Sequence, residues 1–394
     1  MQDKHEFAKV LLDGLADLLE IPPSHYQRAV DRFNSLGDWL DRPQSKVAAL
    51  DPRVYSQGSF RYGTVIRPLL QREEYDLDLV CEIALQKDGV TQRQVKDLVG
   101  DEVKSYADAY NFSEPAEEKR RCWRLKYAVE VSFHMDILPS IPEDPLTIHE
   151  LAQAAVAPRL AAMAVAITDK THANYDAIAK RWPSSNPRGY ATWFEDQMRG
   201  VAAPRQRELV ARRVYASVEA VPVYAWRTPL QRSIQVLKRH RDVMFAGSPN
   251  FKPISMIITT LAARAYQGES DLKRALTTIV ARMPEFVQSS RPRVENPVNR
   301  AEDFADQWAQ DPLYEQNFWA WHRQVSDDFA NLGDLAGRGS DEPARAMRNK
   351  FKVDLPADLE ERLSPRVVVP ASPRVTRAPE VVVAVPPKPW RPYA

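Results

Sequence analysis

The chain has 394 residues, with 54 Lys plus Arg against 53 Asp plus Glu, 44% hydrophobic and 27% charged residues. That balance excludes a wholly disordered chain and an obligate polycation, and the length suits about two or three domains. Two cysteines, Cys81 and Cys122, exclude a disulfide framework and a four-thiolate zinc site, and point to a reducing compartment.

The charged N-terminal stretch lacks a signal-peptide apolar segment. The longest apolar run, Leu160 to Ile167, has eight residues against the roughly 20 needed to span a bilayer. A cytoplasmic protein without membrane insertion is expected. Phe7, Leu11, Leu15 and Leu18 recur at helical spacing until Pro22-Pro23. A second helix is then expected behind Ser24 as cap, with Gln27 at the capping-box position and Tyr26, Val30, Phe33 and Leu40 on one face.

From Val54 the pattern becomes extended, at Arg53–Gln57, Tyr75–Ile83 and a long piece from Arg121 to Ile137. A helical segment from Thr91 to Tyr110 separates the last two, so strands interleave with helices. Glu130 breaks the alternation of the long piece, which makes a hairpin an alternative to one strand. Beyond residue 145 helical periodicity returns. Thr228-Pro229 with Gln231 marks a helix start, with Leu230, Ile234 and Leu237 on its apolar face. Further helices are expected over Pro253–Tyr266 and Ser270–Val280, then an aromatic helical region containing Phe304, Trp308, Tyr314, Phe318 and Trp321. Eight of the last thirty residues are proline, a composition that favours extended, flexible backbone.

The chemistry is concentrated in Gly58-Ser59-Phe60-Arg61-Tyr62-Gly63-Thr64 and Tyr75-Asp76-Leu77-Asp78-Leu79-Val80. Asp76 and Asp78 are two apart on an apolar strand, so both carboxylates share one face while Leu77 and Leu79 take the other. Like charges held together call for a cation, and carboxylate oxygens suit hard Mg²⁺. Asp136, in the β-like stretch Val131–Ile137, supplies a third acid. A Gly-Ser turn between strand and helix would offer N–H groups and a hydroxyl to phosphates. His134 has no Cys or second His at zinc-ligand spacing and reads as a supporting residue.

These residues resemble the signature of polymerase-β-like nucleotidyltransferases. More narrowly, the chain resembles bacterial cGAS/DncV-like enzymes, the cyclic-oligonucleotide synthases of anti-phage signalling. Further segments carry that narrower likeness: Ser185–Tyr190 with Trp193-Phe194, Gln235–Asp242, Lys252–Leu261, and Asn296-Pro297 with Phe304. The resemblance implies an α+β fold, a polymerase-β-like palm with an N-terminal helical spine and a C-terminal helical domain. The corresponding divisions are N-terminal helices packing on the core (1–45), nucleotidyltransferase core (46–225), helical domain (226–363) and proline-rich tail (364–394).

The resemblance also implies roles. Asp76, Asp78 and Asp136 match metal-binding catalytic acids for two Mg²⁺ ions, with Mn²⁺ as a substitute. Gly58 and Ser59 match the donor-triphosphate turn, while Lys238 and Ser255 match phosphate-pocket residues. Tyr190 falls where such enzymes often stack the donor base, although core packing explains it equally well. Arg239 and Arg241 are weaker phosphate candidates. The expected activity is metal-dependent condensation of nucleoside triphosphates, ATP among them, into a cyclic di- or trinucleotide for antiviral defence, with regulatory and effector proteins encoded nearby as partners. A linear oligoadenylate synthase or RNA-tailing enzyme, and a nucleotide- or RNA-binding pseudoenzyme, remain the alternatives. No zinc-ribbon insertion is present to suggest DNA sensing of the animal type.

Overall fold

The computed structural model describes residues 4–69, 74–127, 133–201, 227–336, 338 and 341–363. The proline-rich tail and Glu130 lie outside the described residues. Two helices open the chain, α1 (Lys4–Leu19) and α2 (Pro23–Asp41). Ser24 is not the cap of α2: Pro23 takes the first helical position, so Pro22 becomes the N-cap and no side-chain cap bond forms. A proline suits that position because its missing N–H has no intrahelical partner to lose.

The palm follows. It comprises β1 (Arg53–Gln57), the one-turn α3 (Gly58–Tyr62), β2 (Tyr75–Glu82), α4 (Gln92–Ala109), β3 (Glu117–Glu118), β4 (Trp123–Tyr127) and β5 (Phe133–Pro142). Short helices α5 (Pro145–Gln153) and α6 (Pro158–Ala161), strands β6 (Val165–Ile167) and β7 (Ser184–Ser185), and helix α7 (Pro187–Gln197) complete it. The long extended stretch is divided: β4 and β5 run antiparallel, as the hairpin alternative expects.

The sheet order is β1-β2-β5-β4-β3, with β6 beside the later part of β5 and β7 beside β6. β2 and β5 are parallel, while β1 and β4 run antiparallel to their neighbours. Strand alternation sorts the two faces. Leu77, Leu79, Leu125, Met135 and Ile137 are buried with Phe33, Leu36 and Leu40 of α2 and with Val95, Val99, Val103 and Tyr106 of α4. The acids and their partners occupy the other face. A capping box, Thr91 with Gln94, starts α4.

The helical lobe is built from α8 (Pro229–Met244), α9 (Ser255–Ala265), α10 (Leu272–Arg282), the hairpin β8 (Glu295–Asn296) and β9 (Asn299–Asp303), and then α11 (Pro312–Ala330), α12 (Asp341–Phe351) and α13 (Ala357–Leu363). Thr228 and Gln231 form the expected capping box. Helix α1 buries Phe7, Leu11, Leu12 and Leu15 in this lobe's core, whereas α2 belongs to the core beneath the sheet. The two N-terminal helices therefore serve different lobes. Among the described residues no helix is long and apolar enough to cross a membrane.

Candidate active site

Strand register gathers the acids. Across the sheet, Gln57 is opposite Asp78, Asp78 opposite Asp136, and Asp136 opposite Arg124. One row therefore carries two of the three expected acids with Arg124 beside them, and it ends at Glu117 of β3, opposite Arg124. The next row sets Asp76 against His134. His134 contacts Glu74 through Nε2 and places Nδ1 3.6 Å from Asp76.

Gly58 begins α3 immediately after β1 and has a φ of +66°. A side chain there would be strained, and its Cβ would lie 2.2 Å from an Asp78 oxygen. Glycine thus lets the turn and the carboxylate touch. Burial, followed by the Asp76 and Asp136 charges, pushes Asp78 up to about 7, against the opposing influence of Arg124 and Lys238. Asp136 has a different environment. Arg124 Nε and Nη2 donate to its two oxygens at 2.6 and 2.7 Å. This fork raises the Arg124 pKa further. Among the described residues no three ligating side chains converge on one point.

Apart from Gln57, and from Asp136, which is set behind Arg124, these groups line a cleft of about 870 Å³ between palm and helical lobe. Its walls include Gly58, Ser59, Asp76, Asp78, Arg124 and His134 from the palm, and Lys238, Arg241, Lys252 and Ser255 from the helical lobe. Helix α8 is fastened to the segment after α3 by side-chain donors. Gln231 donates to the Tyr62 carbonyl at 2.9 Å, Gln235 to Val65 at 2.8 Å, Lys238 to Thr64 at 3.0 Å and Arg239 to Arg67 at 2.6 Å. Spacing of roughly one or two turns along α8 puts all four on the strapped face. The contacts read backbone oxygens, so they fix the lobes without constraining the strap's side chains.

Burial, then the neighbouring Arg241, lowers the Lys238 ammonium to about 8; Asp242, Asp76 and Asp78 oppose the shift. A phosphate in the cleft would restore the lost favourable environment for its charge. Arg241 donates to the Ser255 hydroxyl at 3.1 Å and to the Pro253 carbonyl at 3.0 Å. Ser255 is accordingly both the first residue of α9 and a cleft residue with an oriented hydroxyl.

Two expected nucleotide contacts have other positions. Tyr190 is 2% exposed, bonds Thr260 through its hydroxyl at 2.8 Å, and packs against Tyr62, Trp193 and Phe304. It belongs to the core and does not line the cleft, so its place is that of the packing alternative. Arg239 turns to the Arg67, Pro68 and Phe351 carbonyls. The tyrosines that do line the cleft are Tyr62, Tyr75 and Tyr314, the last at the start of α11 and 5.3 Å from Phe251. Sequence reading also missed Arg124 as a site residue. Its only early signal is its polar place between Trp123 and Leu125, whose alternation aims it at the same face as the acids.

Residues 52–139 match the nucleotidyltransferase domain of the family described as cyclic GMP-AMP synthase DncV-like. The chain is 26% identical over 347 residues to a c-di-GMP synthase of Roseivirga ehrenbergii, covering 87% of this chain and 84% of the relative. It is 24% identical over 327 residues to the cyclic dinucleotide synthase CdnG of Bradyrhizobium diazoefficiens, covering 78% and 72%. The solved structure of Bradyrhizobium CdnG in complex with GTP aligns with a TM-score of 0.61 at 20% identity, over 90% of this chain and 98% of that one. Vibrio cholerae DncV in complex with a linear intermediate aligns with a TM-score of 0.58 at 16% identity, over 91% and 97%. The structural likeness carries the fold: a nucleotidyltransferase palm with flanking helical regions.

Proposed function

The chain belongs to the DncV-like nucleotidyltransferases, and from that premise we propose that it condenses nucleoside triphosphates into a cyclic dinucleotide. A ribose hydroxyl of one nucleotide attacks the α-phosphorus of another, a P–O bond forms, and the bond to the β-phosphate breaks with loss of pyrophosphate. A second attack of the same kind closes the ring. The curated relatives that span most of this chain are a c-di-GMP synthase and a cyclic dinucleotide synthase, which favours two nucleotides over three. GTP joins ATP as a candidate substrate on the same ground.

The observation that carries this reading is the apposition of the Gly58–Ser59 turn with Asp78 in a cleft also lined by Lys238. Gly58 and Ser59 would receive the donor's terminal phosphates through backbone N–H groups and the hydroxyl. Lys238 would contribute charge from the opposite wall, beside Ser255. Asp136 would accept the attacking hydroxyl's hydrogen bond. The carboxylate oxygens fit hard divalent cations, since burial and then the neighbouring Asp76 and Asp136 charges already push Asp78 up to about 7 and a bound cation would relieve that crowding. Asp76 and Asp78, with Asp136, would hold Mg²⁺ or Mn²⁺, which neutralises triphosphate charge and activates the hydroxyl when bound. Positioning and electrostatics then account for the acceleration without a covalent enzyme intermediate. The reaction would occur in the cytoplasm and signal phage infection to effector proteins encoded nearby.

The test uses purified full-length protein, radiolabelled ATP, GTP, CTP and UTP singly and together, and Mg²⁺ or Mn²⁺. A phosphatase-resistant product with cyclic-dinucleotide mass supports the reading. Exclusively phosphatase-sensitive oligomers would favour linear synthesis, and nucleotide binding without turnover would favour a pseudoenzyme.

Lys238 permits a narrower check. Lys238→Ala should lower kcat/KM for the triphosphate by roughly 10- to 100-fold, the effect of losing a charged hydrogen bond of about 1.5–3 kcal/mol. It also leaves the Thr64 carbonyl unbonded, so a melt must accompany the kinetics. Lys238→Gln retains a donor for Thr64 without the charge. Wild-type efficiency in Lys238→Gln would remove the phosphate role, whatever the Ala variant does to stability.

A further inference from the structure

The cleft contains a conflict between two cations. Arg124 occupies both carboxylate oxygens of Asp136, an acid assigned above to a divalent ion. The pairing arises from register, since Arg124 and Asp136 are directly opposite on β4 and β5. Both side chains are only partly buried, and Arg124 itself lines the cleft beside Asp76, Asp78 and Lys238.

The ion pair is not the only tie between these strands: their backbones pair along the ladder, and their other face buries the neighbours Leu125 and Met135. A guanidinium cannot shed its proton to make way for another cation. A divalent ion at Asp136 and a guanidinium gripping the same carboxylate would repel each other across a short distance. The available relief is movement of the arginine, whose long side chain is already on the cleft wall. A triphosphate in that cleft offers it anionic oxygens in exchange.

We propose that Arg124 is an exchangeable counterion: it holds Asp136 in the metal-free protein, yields that carboxylate to an arriving divalent ion, and transfers its fork to an anionic oxygen of the bound nucleotide. The proposal rests on the nucleotidyltransferase reading of the cleft. It makes Arg124 a positioning residue that couples metal loading to substrate binding. Without nucleotide the arginine competes with the metal. With nucleotide its released charge reinforces binding. Removing it should consequently change the two affinities in opposite directions, which loss of a merely structural ion pair would not do.

The experiment uses full-length wild type and Arg124→Gln, Arg124→Lys and Asp78→Asn variants, each stripped of metal and checked by melting. Free Mn²⁺ is followed by electron paramagnetic resonance without nucleotide. Binding of a non-hydrolysable α,β-methylene triphosphate is then measured at saturating Mn²⁺. Arg124→Gln should bind Mn²⁺ about tenfold more tightly and the analogue about tenfold more weakly. Arg124→Lys, which keeps the charge but not the fork, should return Mn²⁺ affinity towards wild type while leaving the analogue bound more weakly. Unchanged Mn²⁺ affinity in folded Arg124→Gln, or weakening of both ligands, would overturn the exchange. If Arg124→Gln fails to fold, Arg124→Lys decides through the fork: analogue affinity equal to wild type then counts against the transfer, and weakened affinity supports it. Asp78→Asn separates the underlying assignment. Mn²⁺ binding indifferent to Asp78→Asn would defeat the metal reading and the exchange with it, whereas a response to Asp78→Asn but not Arg124→Gln defeats the exchange alone.

Discussion

Asp78→Asn should reduce nucleotide incorporation by roughly 100-fold or more, the scale expected for loss of a metal-binding catalytic carboxylate. The metal-free variant should nevertheless melt at or above the wild-type temperature at neutral pH. Asparagine preserves the outline that fits against Gly58 but removes a charge crowded by burial, Asp76 and Asp136. The sign follows from linkage. Asp78 is pushed up to about 7 in the folded state from the ordinary 3.8, so the fold binds its proton more tightly than the unfolded chain does. Well below pH 3.8 both states are protonated and Asp78 carries no penalty. As pH rises towards 7 the unfolded chain loses that proton first, and the metal-free fold loses relative stability. The Asn variant escapes this loss. Its melting advantage should grow from acid to neutral pH in chelator and shrink when Mn²⁺ is added, because the ion stabilises wild type more. Activity above about a tenth of wild type would sink the metal role, since losing a carboxylate that touches the ion should cost far more. A melting advantage confined to acid pH would instead contradict the electrostatic assignment.

The acids were readable because period-two alternation needs no tertiary information. Leu77 and Leu79 demand a core, which forces Asp76 and Asp78 to the opposite face, and the buried leucines bear this out. The Thr228–Gln231 capping box is similarly local. Arg124 was harder to read because its significance depends on the β4–β5 register, which sets it opposite Asp136, 12 residues further along the chain. The cationic run on α8 shows the same boundary between local and nonlocal information. Arg239 and Arg241 look equivalent in sequence, but the strap after α3 takes Arg239 while Ser255 and Pro253 take Arg241. Tyr190 likewise depended on distant Tyr62 and Thr260, which draw it into the core. Ser24 is a misleading local signal: Pro22 and Pro23 begin the helix two positions earlier than a Ser24 cap implies.

Gly58→Ala should reduce activity by about 100-fold or more without removing any ionisable group. A missing side chain performs two tasks at this position. The backbone has φ of +66°, a conformation unfavourable for alanine, and the added Cβ would meet Asp78 at 2.2 Å. The left-handed backbone costs roughly 1–2 kcal/mol, but the collision has the greater functional reach. Asp78 is on a central strand paired on both sides, with Gln57 and Asp136, so its backbone has little room to retreat. The easier responses are rotation of its carboxylate or displacement of the Gly58–Ser59 turn. Either breaks the apposition on which the phosphate-binding and metal-binding assignments jointly depend, and small misplacements of reacting groups can cost about 100-fold. Ser59→Ala provides the contrast, because it deletes the hydroxyl while keeping the turn and its N–H groups; its loss should be smaller. The comparison requires incorporation rates, Mn²⁺ affinity and melting curves for both variants. Retention of wild-type rate and Mn²⁺ affinity by Gly58→Ala would mean that the turn and Asp78 need not touch during the reaction. Loss of rate with weakened Mn²⁺ binding, in a protein still folded at the assay temperature, would trace the defect to the carboxylate that the glycine leaves room for.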